Sequence, residues 1–110
     1  MIVSFDFDGT LDTPKIKEYA KELMSRGYDV HITTQRPPTL FKDVFEVANS
    51  IGVKLENIHF CGIQSKQYVL EEVDYIFHLD NSDEACSTIP RAIFLDDNFR
   101  NNCEDALMRV

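Results

Sequence analysis

Five short runs of β-forming residues alternate with segments of helical spacing along this chain of 110 residues. Ile2, Val3, Phe5 and Phe7 make a buried strand of Met1 to Phe7. It stops at the turn residues Asp8-Gly9-Thr10. Pro14 suits the first turn of a helix, in which Ile16, Tyr19, Ala20, Leu23 and Met24 recur at helical spacing until Gly27 ends it. Tyr28 to Thr34 reads as a second strand, broken by Arg36-Pro37-Pro38. A second helix carries Leu40, Phe41, Val44, Phe45, Val47 and Ala48 and closes at Gly52. Ile58 to Cys61 reads as a short third strand and Lys66 to Glu72 as a short helix. Asp74 to Leu79 and Ala92 to Leu95 are strands four and five, and Phe99 to Met108 is a closing helix. Asp80-Asn81-Ser82-Asp83 follows strand four and Pro90 precedes strand five, with no helix assigned between them. Such alternation leaves one economical solution, a parallel sheet covered on both faces. No repeat, linker or low-complexity tract interrupts it, so the expectation is one α/β domain over residues 1–110.

Parallel sheets of this kind place their chemistry at the carboxyl ends of the strands. Strand one ends in Asp6-Phe7-Asp8. A carboxylate between two phenylalanines is costly in an apolar strand unless it is paired or bound to metal. Thr33, Thr34, Gln35 and Arg36 follow strand two. A small loop and Lys66 follow strand three, and Asp80 and Asp83 follow strand four. Carboxylates, a hydroxyl and an ammonium are the parts of a phosphoryl-transfer site. Oxygen ligands suit octahedral Mg²⁺, and a carboxylate can attack phosphorus. A lysine and a hydroxyl can hold phosphoryl oxygens, while a second carboxylate protonates the leaving oxygen and later activates water.

Asp96-Asp97-Asn98 also follows an apolar strand. Strand five should lie at the sheet edge, so Asp97-Asn98 reads as the cap of the last helix. His31, His59 and His78 show no metal-ligand spacing and read as partly buried packing residues.

The net charge is −8, from 19 acidic and 11 basic residues. That field repels polyanions, which argues against an extended nucleic-acid groove. Cys61, Cys86 and Cys103 form no C-x-x-C pair and read as reduced thiols. No apolar stretch approaches the ~20 residues of a membrane span, and no signal peptide is evident. The expectation is a cytoplasmic protein with no membrane partner.

Asp6-Phe7-Asp8-Gly9-Thr10-Leu11 resembles the first motif of the haloacid-dehalogenase superfamily, D-x-D-G-T-[LV]. The resemblance implies Asp6 as nucleophile and metal ligand. It implies Asp8 as general acid and base, with its carbonyl also on the metal. Ile32-Thr33-Thr34-Gln35-Arg36 is similar to the T-x-R form of the second motif, pointing to Thr34, with Thr33 as the alternative. Lys66 matches the family's lysine and Asp80 the first acid of its fourth motif. The usual fourth motif is D-D, G-D-x-x-x-D or G-D-x-x-x-x-D. Here Asp80-Asn81-Ser82-Asp83 leaves Asp83, Asn81 or water for the second contact. Gly9, Thr34, Gln35, Arg36 and Lys66 would then hold the phosphorylated substrate.

The implied fold is three-layered and Rossmann-like, with strand order 5-4-1-2-3. Only 31 residues separate Thr34 from Lys66, too few for a cap domain. An open site would admit a small phosphate ester or the terminal phosphate of a larger molecule. The expected function is Mg²⁺-dependent phosphate monoester hydrolysis through an aspartyl-phosphate. The alternatives are a phosphotransferase, or a ligand-binding or regulatory module without catalysis.

Overall fold

A computed structural model describes residues 1–110. Its five strands are β1 (Ile2–Phe5), β2 (Asp29–Thr34), β3 (Ile58–Phe60), β4 (Tyr75–Asp80) and β5 (Ala92–Phe94). All pair in parallel, in the order β3-β2-β1-β4-β5, which is the expected order read from the other edge. The helices are α1 (Pro14–Ser25), α2 (Lys42–Ile51), α3 (Lys66–Leu70), α4 (Asp83–Thr88) and α5 (Phe99–Met108). No helix is long and apolar enough to cross a membrane.

The two faces of the sheet differ in chemistry. Val3, Phe5, Val30, Ile32, Phe77 and Leu79 form an apolar face with α1, α2 and α5 packed on it. Phe5 and Phe77 meet edge to face at 6.0 Å between centroids. Each fully buried side chain of this size contributes roughly 1.5–3 kcal/mol. The alternate strand positions carry Ser4, His31, Thr33 and His78, all buried and polar. This second face lies under the short helices α3 and α4, where Leu70, Tyr75 and Ile89 form a small cluster against Ile2 and Ala92. Parallel strands are ordinarily apolar on both sides, so the polar row is a departure with consequences for the site.

The unexpected element is α4. Its sequence, Asp83-Glu84-Ala85-Cys86-Ser87-Thr88, has no apolar stripe to betray it. Ser82 starts it, with Oγ accepting a hydrogen bond from the Ala85 N–H at 3.2 Å. Two acids in its first turn complement the positive end of the helix.

Candidate active site

Phe5 pairs with Ile32 on one side and Leu79 on the other. One residue later, Asp6 N–H still donates to the Leu79 carbonyl at 2.9 Å. Asp6 and Asp80 therefore end adjacent strands. The chain then makes a wide helical turn over Phe7–Leu11, interrupted at Asp8 (φ −66°, ψ 120°) and Gly9 (φ 76°). At Gly9 a Cβ would lie 2.3 Å from Asn81 Nδ2. Only glycine lets this turn close against the loop after β4. Thr10 Oγ1 donates to Asp6 Oδ2 at 3.3 Å.

Lys66 is delivered from the first residue of α3, whose N-cap Ser65 accepts from Tyr68 N–H at 3.1 Å. Its ammonium bridges the two acids: Nζ donates to Asp6 Oδ1 at 2.6 Å and to Asp80 Oδ2 at 2.7 Å. Gln35 spends both amide protons on the loop before α3, donating to the carbonyls of Gly62 (2.7 Å) and Gln64 (2.6 Å). It thereby ties the end of β2 to the segment that carries Lys66.

Burial pushes the Asp6 carboxyl up against the opposing pull of Lys66. Asp80 is also buried, yet His78 and Lys66 overcome that effect and hold it down at about 2. Burial alone would lower the Lys66 ammonium; the two carboxylates raise it above its ordinary value instead. Asp80 is thus the firmly ionised acid. Its Oδ2 takes Lys66 and His78 (2.8 Å), and its Oδ1 accepts from Ser82 N–H at 3.0 Å. A carboxylate offers about four lone-pair sites, so one remains on Oδ1.

Asp8 is gripped from outside. Arg36 Nε donates to Asp8 Oδ2 at 2.9 Å and Nη2 to Oδ1 at 2.7 Å. The remaining guanidinium protons go to Asp43 and the Leu40 carbonyl. All five donors of Arg36 are engaged, which raises its pKa through the two carboxylates.

A cleft of about 480 Å³ brings together Asp6, Asp8, Gln35, Lys66 and Asp80, with Asn81 at its wall. Gly9, Thr34, Arg36 and Asp83 do not line it. Thr34 is buried, its Oγ1 accepting from Arg36 N–H at 3.3 Å, and the Thr33 hydroxyl is bonded to Ser4. Asp83 lies in the first turn of α4, exposed, while its neighbour Glu84 reaches the cleft. Asn98, not Asp97, takes the N-cap position of α5, and its N–H donates to Asp96 Oδ1 at 2.8 Å. A larger cavity, about 630 Å³, opens at the amino ends of β1, β4 and β5. It lacks the pair of buried acids bridged by an ammonium that marks the smaller cleft.

No three His, Cys, Asp or Glu side chains converge as a metal cluster. Oxygens of mixed origin do. The inward atom of the Asn81 amide lies 2.9 Å from Asp6 Oδ2 and 3.2 Å from the Asp8 carbonyl oxygen. With nitrogen inward, Asn81 donates to both. With oxygen inward, three oxygens meet at those spacings, which repel unless a cation lies among them. Around six-coordinate Mg²⁺ with ~2.1 Å bonds, neighbouring oxygens stand about 3.0 Å apart. One carboxylate, one main-chain carbonyl and one amide oxygen are donor types that a small hard cation takes.

His78 and Ser4 are the site residues that sequence reasoning missed. The available signal was position: His78 and Asp80, like Ser4 and Asp6, stand two apart on one strand and so share a face. Neither a family model nor a curated protein nor a solved structure matches this chain.

Proposed function

We propose that the cleft is a capless phosphate monoesterase of the haloacid-dehalogenase type, using Mg²⁺ and an aspartyl-phosphate intermediate. The observation that carries this reading is the buried Lys66 ammonium bridging Asp6 and Asp80 at the ends of adjacent parallel strands. Asp6 Oδ2, the Asp8 carbonyl and Asn81 would hold the cation, and Asp80, with a lone pair left on Oδ1, would contribute directly or through water. Bound there, Mg²⁺ neutralises charge on the phosphoryl group.

Asp6 Oδ1, the oxygen held by Lys66, attacks phosphorus, and the bond from phosphorus to the leaving oxygen breaks. Asp8 gives that oxygen a proton. Asp8 then takes a proton from water, which attacks the phosphoryl-Asp6, frees phosphate and restores the carboxylate. Lys66 follows the charge to the phosphoryl oxygens as it leaves Asp6. Arg36 is not a phosphate ligand in this scheme, because it has no donor left. It aims Asp8, which exchanges part of that grip for the leaving group.

The same grip is the observation favouring the second reading, a binding module, since Arg36 occupies both Asp8 oxygens and a leaving group must displace it. Phosphate release from p-nitrophenyl phosphate, with and without Mg²⁺, separates the two. Release that requires Mg²⁺ and vanishes in Asp6→Asn supports the enzyme, and acceptor alcohols added to the assay reveal any phosphotransfer. Release that survives Asp6→Asn removes Asp6 from the chemistry. Silence across a panel of phosphate monoesters favours the binding module.

A further inference from the structure

The buried polar face of the sheet holds an ordered chain that ends on the site. Thr33 Oγ1 lies 2.7 Å from Ser4 Oγ, Ser4 Oγ 2.8 Å from His78 Nδ1, and His78 Nε2 2.8 Å from Asp80 Oδ2. Ser4, Thr33 and His78 are wholly buried, and Asp80 is 1% exposed. From this geometry we infer that His78 is a positioning residue for Asp80, itself oriented by Ser4 and Thr33 through a chain of hydrogen bonds that run one way.

The direction follows from what each group can donate. An ionised carboxylate only accepts, so the proton between His78 and Asp80 sits on Nε2. Full burial disfavours the charged imidazole. A neutral imidazole has a single N–H, so Nδ1 must accept, and Ser4 must donate to it. Ser4 has then spent its proton, so Thr33 donates to Ser4. A core histidine packed only for its shape would have no required tautomer. Here each partner allows one arrangement, and it fixes Asp80 with Oδ2 toward Lys66 and Oδ1 toward the cleft. Partners of this kind set the orientation of metal-binding carboxylates, and losing one typically costs about 10–100-fold in metal affinity.

The catalytic consequence rests on the cleft being a Mg²⁺ phosphoryl-transfer site; the chain itself does not. Two measurements keep them apart. Nitrogen-15 NMR of the wild-type protein without metal, at neutral pH, should show His78 protonated on Nε2 and bare on Nδ1. Ser4→Ala should move the Nδ1 resonance. An Nδ1-protonated ring or an imidazolium overturns the inference, and the wild-type spectrum alone decides it. Calorimetric titration with Mg²⁺ reads the second half. His78→Phe should weaken binding about 10–100-fold, and His78→Gln, whose amide nitrogen reaches the Nε2 position, should recover most of it. Equal loss in both variants overturns the positioning role. If the wild type binds no Mg²⁺, the phosphoryl-transfer reading fails, and the nitrogen spectrum decides His78 by itself.

Discussion

Replacing Lys66 by methionine removes one charge and nearly nothing else, so it isolates what the ammonium does. The side chains of Asp6 and Asp80 are 9% and 1% exposed, and Lys66 reaches them at 2.6 and 2.7 Å. Without it two buried carboxylates face each other with oxygens no more than about 5 Å apart. At an effective dielectric constant near 20, two unit charges at that distance repel by about 3 kcal/mol. Breaking a buried pair by deleting one partner costs roughly 3–5 kcal/mol. In a domain of this size that is a fall in Tm of about 12–20 °C. The loss should depend on pH. Without Lys66 the Asp6 carboxyl, already above its unfolded value of 3.8, rises further, and Asp80 loses part of what holds it down. The folded variant then binds protons more tightly than the unfolded chain, so its stability rises as pH falls toward that value. Asp80 in the wild type, held at about 2, stabilises the fold above pH 3.8 and loses that contribution only as pH falls from there toward 2. The gap between the two proteins should therefore narrow on mild acidification, and His78, no longer pushed down by Lys66, adds to it in the same direction. Urea denaturation in EDTA, followed by circular dichroism at neutral pH and near pH 5, measures it. A loss under about 1 kcal/mol, or a gap that stays constant or widens, would refute the claim that Lys66 neutralises two buried acids.

Three further outcomes follow from the same geometry. Gly9→Ala should cost about 1–3 kcal/mol, because φ is 76° and the new Cβ meets Asn81. Adding Asn81→Ala should recover the contact part and leave the backbone part, which a double-mutant cycle of urea midpoints reads. Arg36→Ala should barely move the urea midpoint, because its partners Asp8 and Asp43 are 55% and 58% exposed. The same substitution should lower turnover of poor leaving groups by up to about 10²-fold, because Asp8 is no longer aimed, and steady-state kinetics checks it. Burial lowers the pKa of His78, His59 and His31, with His59 adding to the effect at His31. Stability should therefore be full above the unfolded value of 6.5 and fall on acidification below it. The buried His78 supplies up to about 1.4 kcal/mol per pH unit, and a flat profile of urea midpoints through that range would contradict its neutral state.

The strands were readable because each apolar run stops at residues that cannot continue it, Asp8-Gly9 after β1 and Arg36-Pro37 after β2. Their alternation with helices then dictated a parallel sheet, and the strand-end rule placed Asp6, Lys66 and Asp80 together. Ends were less legible: β1 stops at Phe5, not Phe7, because Asp6 caps the turn that Phe7 already belongs to. Helix α4 was missed since a capped, polar, six-residue helix has no apolar period, and its Ser82 cap looked like loop chemistry. That helix takes up Asp83, which is exposed and off the cleft lining, while Asn81 before it stands beside Asp6. Arg36 was expected on the substrate. Its partner Asp8 lies 28 residues away in the chain, and nothing local announces that pairing. The polar face went unread for a different reason. Ser4, Thr33 and His78 look like ordinary interruptions of apolar strands until the register aligns them side by side.

The central claim is that Asp6 carries the phosphoryl group. Mass spectrometry of the Asp8→Asn protein, incubated with Mg²⁺ and p-nitrophenyl phosphate, tests it most directly. That substrate has a good leaving group and needs little protonation, whereas hydrolysis of the intermediate lacks its base. The account predicts a phosphoryl adduct that accumulates on the peptide containing Asp6, needs Mg²⁺ and is absent when Asp6→Asn is added. An adduct on another residue, or steady phosphate release with no adduct on Asp6, would contradict it.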